Sequence, residues 1–72
     1  MIEIFKTNVN KKREAKLIIK KLLNILPDSC INFDLEDCDR ILRIENKVQN
    51  FDTQNIITVL NNKGFYCEIL KD

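Results

Sequence analysis

Three kinds of residue in this chain of 72 residues could act as ligands or as catalytic groups: thiols, carboxylates and a run of cations. The cysteines Cys30, Cys38 and Cys67 lie far apart without a C-x-x-C pair, and the chain contains no histidine. Without imidazole there is no Ser/His or Cys/His nucleophile pair and no histidine ligand for zinc, haem or iron. We therefore expect a protein that is not an enzyme and that has no cofactor and no resident metal.

The carboxylates concentrate in one segment, which contains Asp34, Glu36, Asp37 and Asp39. Such a cluster could bind a hard metal ion or supply a pair of acid/base groups. The segment has no glycine and does not have the ligand spacing of a calcium loop, so we interpret it as the solvated tip of a hairpin. Cys38 lies in the same turn, where it could also ligate a metal or pair with a second chain.

The cations Lys11, Lys12 and Arg13 are consecutive. If Asn10 caps the helix that follows, all three occupy its first turn, where the backbone N–H groups already carry partial positive charge. Each cation there costs up to about 1 kcal/mol, so the three are either simply solvated or serve to bind an anion. We predict a site for a phosphate or a carboxylate of another protein, with Asn8 and Asn10 as further donors.

Charge is divided unequally along the chain. Residues 1–27 carry seven basic and two acidic groups, whereas residues 28–72 carry five basic and nine acidic ones. The formal net charge of +1 gives little general attraction for nucleic acid. Phe5 and Tyr66 could stack bases on the open face of a sheet, but the remaining features of an RNA-binding motif are missing. We therefore expect an acidic protein or a second copy of the chain as the partner.

Helical periodicity identifies two segments. Residues 11–26 place one apolar stripe along a helix that Pro27 ends, and Leu17 lies outside this stripe and should be exposed. A second helix begins after Asp52, a good N-cap, and ends at Gly64, which adopts the left-handed conformation easily. The stripe of the first helix consists of Ala15, Ile18, Ile19, Leu22, Leu23, Ile25 and Leu26.

Strand periodicity identifies the segments 2–6, 30–36, 40–46 and 65–70. In the first, Ile2 and Ile4 should face the core, and in the last Cys67 should be a small core residue. The second and third segments are separated by a turn and predict a β-hairpin. The order β-α-β-β-α-β predicts an α+β, ferredoxin-like domain over residues 1–72, with a four-stranded antiparallel sheet and two helices on one face.

The compartment is predicted from the start of the chain and from its thiols. Residues 1–9 lack the apolar run of an export signal, and lysines interrupt the apolar residues 17–26. An odd number of widely spaced cysteines is typical of reduced thiols. We expect a cytoplasmic protein that makes no contact with a membrane.

With these elements placed, the chain resembles a heavy-metal-associated (HMA) domain, the fold of small copper chaperones. The matching segments are LIIKKLLNILPD, CINFDLED and NIITVLNNKGFYCEIL. The resemblance implies a C-x-x-C between the first strand and the first helix, whose thiolates bind copper(I) or another soft metal. Here that segment reads TNVNKKREA, and an alignment anchored on Pro27 places Lys12 and Ala15 at the two cysteine positions.

The metal site that the resemblance implies is thus absent from this sequence. We predict a non-enzymatic protein-interaction or regulatory module, with an anion-accepting basic loop at the start of the first helix. The alternative is residual heavy-metal binding, or a metallochaperone-like role, through non-standard cysteine ligands such as Cys38.

Overall fold

A computed structural model describes residues 1–48 and 50–70, so three positions of the predicted domain 1–72 lie outside the described residues. The strands form one antiparallel sheet in the order β2-β3-β1-β4, with α1 packed over β2 and α2 over β4. This arrangement confirms the predicted α+β, ferredoxin-like architecture. The elements are β1 (Ile2–Thr7), α1 (Lys12–Ile25), β2 (Ser29–Asp34), β3 (Ile41–Asn46), α2 (Thr53–Asn62) and β4 (Cys67–Ile69).

The core lies between the two helices and one face of the sheet, and the helical stripe of α1 enters it. Leu17 is exposed, as predicted, whereas Leu23 and Ile25 of the predicted stripe are 37% and 41% exposed. The stripe is therefore wider than the surface that the sheet and α2 cover. The buried apolar side chains are Phe5, Val9, Ala15, Ile18, Leu22, Leu26, Ile31, Leu42, Ile44, Phe51, Ile56, Leu60 and Cys67.

The prediction that Ile2 and Ile4 of β1 face the core is wrong. Phe5 is fully buried, whereas Ile2 and Ile4 are 49% and 37% exposed on the open face of the sheet. Phe5 pairs with Leu42 and Ile69, both on the core face, and this register places the side chains of residues 2 and 4 on the opposite face. Phe5 is therefore not part of a stacking platform, and the RNA-binding interpretation loses one of its two aromatic residues.

The start of α1 also differs from the prediction. The N-cap is Lys11 and not Asn10, and no side chain caps the helix. Only Lys12 and Arg13 of the three cations are therefore in the first turn, where Glu14 accompanies them.

The second helix has the predicted ends. The Asp52 carboxylate accepts a hydrogen bond from the backbone N–H of Gln54 at 2.9 Å, which makes it the N-cap of α2. Gly64 has φ +89° just after the helix, in the region that favours glycine.

The predicted β-hairpin is confirmed, but its turn is longer than expected. Strand β2 ends at Asp34, whose carboxylate accepts a hydrogen bond from the Glu36 N–H at 3.3 Å. The Asp37 carboxylate accepts one from the Asp39 N–H at 2.8 Å, and Arg40 has φ 46°. These local bonds compete with strand pairing, so the pairing stops two residues before the predicted end of β2.

Candidate functional site

The segment between β1 and α1, which contains the predicted anion site, is anchored by buried groups on both sides of Asn8. The Thr7 hydroxyl donates to the Arg40 carbonyl at 2.6 Å and accepts from the Val9 N–H at 3.2 Å. The Val9 side chain is fully buried. The Asn8 side-chain oxygen accepts from the N–H of Tyr66, the residue before β4, at 2.8 Å. Asn8 therefore has a structural contact that the sequence did not indicate.

The basic segment, Lys11 to Arg13, is exposed to solvent, and so is Asn10. Within residues 1–48 and 50–70 the structure has one ion pair, between Lys6 Nζ and Asp39 Oδ1 at 3.6 Å. The three cations therefore have no carboxylate partner in the described part of the chain. Of the five predicted site residues, Asn8 therefore bonds to the backbone of the residue before β4, and the other four are exposed.

A groove beside the basic segment extends the candidate site beyond the predicted residues. It runs between α1 and the edge strand β2 and has a volume of about 370 Å³. Lys12 belongs both to the basic segment and to this groove, and Lys16 lies one helical turn further on. The lining residues of this edge groove are Lys12, Ala15, Lys16, Ile19, Asn32, Phe33, Asp34, Leu35 and Glu36.

The lining of the edge groove follows from two periodicities. The helix contributes positions 12, 15, 16 and 19, which share one helical face, and the strand and its turn contribute residues 32–36. Ala15 is buried, whereas Ile19, Phe33 and Leu35 are only partly buried against the core. The groove thus has an apolar floor, with Lys12 and Lys16 on its helix side and Asp34 and Glu36 on its strand side. The spacing of Lys12 and Lys16 was a signal in the sequence, but the edge position of β2 was not.

The hairpin tip brings together a second group of donors. One ligand atom from each of Asp37, Cys38 and Asp39 lies within 4.8 Å of the others, and Cys38 is exposed as predicted. Both carboxylates already have partners, since Asp37 accepts from the Asp39 N–H and Asp39 pairs with Lys6. A metal ion would have to compete with these contacts.

The thiol of Cys67 is the buried one of the three, which confirms its predicted place in the core. Burial raises the pKa of this thiol to about 11, and the negative charge of Glu68 adds to the rise. Because the thiolate is the reactive form, Cys67 is a poor nucleophile and a poor metal ligand near neutral pH. Neighbouring Tyr66 is exposed, and a hydrogen bond with the Glu68 side chain raises the pKa of its hydroxyl.

Comparison with known proteins does not assign the chain to a family. No protein-family description, curated protein or solved structure matches it. No helix in the described ranges has both the length and the apolar character required to span a bilayer.

Proposed function

We propose that this chain is an HMA-like, non-enzymatic interaction or regulatory module of the cytoplasm that has lost the metal site of that family. Its partner is a protein that presents carboxylates to the basic segment. The proposal rests on one observation: three consecutive cations stand in solvent at the start of a helix with no ion-pair partner among the described residues. Three free thiols suit a reducing compartment.

The position of these cations supports the loss of metal carriage. In the HMA alignment, Lys12 and Ala15 stand where the two metal-binding thiols would be, and Ala15 is buried on the core side of α1. The helix N-terminus has partial positive charge, and Lys12 and Arg13 add full positive charges to it. This electrostatic environment disfavours a metal cation and favours a carboxylate.

The charge of the basic segment can be tested with a hexaglutamate peptide, titrated into ¹⁵N-labelled protein at low salt. We expect the largest shifts at the amides of residues 10–16. The double variant Lys12→Glu and Arg13→Glu should weaken binding at least about tenfold, or ~1.4 kcal/mol, because two attractive contacts become repulsive. Binding should also weaken as salt screens the charges.

A matched control separates this local effect from net charge. Lys21→Glu and Lys47→Glu change the net charge equally, and both residues are exposed and lie outside the basic segment. We expect this control variant to bind hexaglutamate within about twofold of the parent protein. Equal weakening in the two double variants would contradict a specific site, and so would shifts centred elsewhere.

Residual metal binding is the second candidate function, and the cluster of Asp37, Cys38 and Asp39 favours it. One thiolate and two carboxylates form a donor set that zinc accepts, whereas copper(I) prefers additional sulfur. The cluster is exposed, so an ion could reach it from solvent. A dimer could supply further ligands through its second hairpin tip.

Native mass spectrometry of the reduced protein, with zinc or copper(I) added, tests this candidate. If the cluster binds metal, Cys38→Ser should abolish the metal-bound peak because it removes the thiolate ligand. Cys30→Ser removes another exposed thiol and should leave that peak unchanged. A peak that survives Cys38→Ser, or no peak with the parent protein, would rule out this site.

A further inference from the structure

Strand β2 has an unpaired side, and the backbone pattern shows which groups lie there. The Asn46 N–H donates to the Met1 carbonyl, so the backbone groups of Asn46 point toward β1 and those of Glu45 toward β2. Glu45 pairs with Cys30. The groups of residues 30, 32 and 34 therefore face β3, and those of Ile31 and Phe33 face outward. In the described part of the chain no strand pairs with this side.

The side chains around this open side form the edge groove. Residues 31 and 33 point toward the helices, whereas Asn32 and Asp34 lie on the other face of the sheet. A strand added alongside β2 would therefore direct every second side chain into the groove. There it would meet the apolar surface of Ile19 and Phe33 and the side chains of Lys12 and Lys16. Helix α1 and strand β2 are joined by a short turn and run in opposite directions, so Lys12 lies toward the end of β2 and Ile19 toward its start.

Four charged residues line the groove, but Asp34 lies on the other face of the sheet and Glu36 lies in the turn beyond β2. The charges that a strand added alongside β2 would meet from the helix side are therefore those of Lys12 and Lys16. A second copy of this chain, paired through its own β2, would bring a second helix α1 close to the first. Residues 1–27 carry seven basic and two acidic groups, so two such helices would repel each other. Lysines beside a sheet edge commonly prevent this kind of self-pairing. A segment with acidic side chains has the opposite, complementary charge.

We propose that the edge groove binds an extended segment of a partner protein as a fifth, antiparallel strand along β2. The segment hydrogen-bonds to the outward N–H and C=O groups of Ile31 and Phe33. Its groove-facing side chains are acidic beside Lys12 and Lys16 and apolar above Ile19. Main-chain bonds supply affinity and alternate side chains supply specificity, as in other strand additions. The inference rests on the proposed function, because it uses the same basic end of α1 for the acidic contact.

The probe is the peptide TETETVTVT, acetylated and amidated, added to ¹⁵N-labelled protein. An antiparallel strand places its glutamates at the lysine end of the groove and its valines at the Ile19 end. We expect saturable binding and hydrogen exchange at the Ile31 and Phe33 amides that is at least about tenfold slower, since both become strand-paired. A peptide N-methylated at its glutamates and valines keeps the charge but cannot donate to β2, so it should bind at least about tenfold more weakly.

The protein variants test the two lysines on the helix side of the groove, Lys12 and Lys16. Lys12→Glu and Lys16→Glu should weaken binding of TETETVTVT at least about tenfold, while Lys21→Glu and Lys47→Glu should change it less than about twofold. Lys21 and Lys47 do not line the groove. Glutamate in the first turn of a helix is favourable, so the Lys12→Glu exchange is compatible with folding.

Three results would overturn the inference, and they differ in what they leave standing. Equal binding of the N-methylated peptide, with unchanged exchange at Ile31 and Phe33, would exclude strand addition and leave the acidic docking intact. Slowed exchange with no effect of the Lys12 and Lys16 substitutions would exclude the acidic contact in the groove, while the hexaglutamate titration still decides on the proposed function. A dimer by sedimentation, with these amides protected before peptide is added, would assign the edge to a second copy.

Discussion

Phe5→Ala should destabilise the protein by about 3–5 kcal/mol, because it removes a fully buried aromatic ring from the centre of the core. A domain of 72 residues has a total stability of about 4–11 kcal/mol, so this single change removes a large part of it. Phe5 lies on a central strand, paired with Leu42 on one side and with Ile69 on the other. The surrounding side chains therefore have little freedom to fill the cavity.

Ile4→Ala is the matched control, because it removes a large apolar side chain from the adjacent position on the same strand. Ile4 is on the open face, so we expect a loss of about 1 kcal/mol or less. Urea unfolding followed by circular dichroism gives both free energies. Equal losses, or a larger loss for Ile4→Ala, would contradict the orientation of β1 and would return Phe5 to the open face.

The alternation of apolar and polar residues did not predict which face of β1 is buried. The segment IEIFK has apolar residues on both faces of the strand. Ile2 and Ile4 lie on one face, and Phe5 lies on the other face with Glu3. The alternation alone therefore does not determine which of the two faces is buried, and the pairing with the neighbouring strands determines it. Strand β2 was predictable because its segment places the large apolar residues Ile31, Phe33 and Leu35 at alternate positions, all on one face.

The candidate site was predictable in its charge and not in its shape. The run Lys11 to Arg13 is visible in the sequence, and the structure places it in solvent. The edge groove depends on β2 being the outermost strand and on α1 lying above it, and both are properties of the tertiary fold. The helix starts one residue later than predicted, with Lys11 as its N-cap and no side chain as a cap, and the sequence did not indicate this difference.

The Thr7 hydroxyl is one of the groups that anchor the segment between β1 and α1. Thr7 is 4% exposed, and its hydroxyl accepts from the Val9 N–H and donates to the Arg40 carbonyl. These bonds connect the end of β1 to Val9, two residues before the basic segment, and to the end of the β2–β3 turn. Valine has nearly the same shape as threonine but can neither accept nor donate.

Thr7→Val should therefore cost about 1–3 kcal/mol, since the Val9 N–H loses its hydrogen-bond acceptor in a buried place. Hydrogen exchange at residues 8–11 should accelerate more than exchange in α2, because the segment loses its anchor. Thr58→Val, at an exposed position of α2, is the control and should change stability by about 0.5 kcal/mol or less. If the two variants were equally stable and residues 8–11 exchanged at the parent rate, the hydroxyl would not hold the segment. The buried Val9 side chain and the hydrogen bond from the Tyr66 N–H to Asn8 would then hold the segment between β1 and α1.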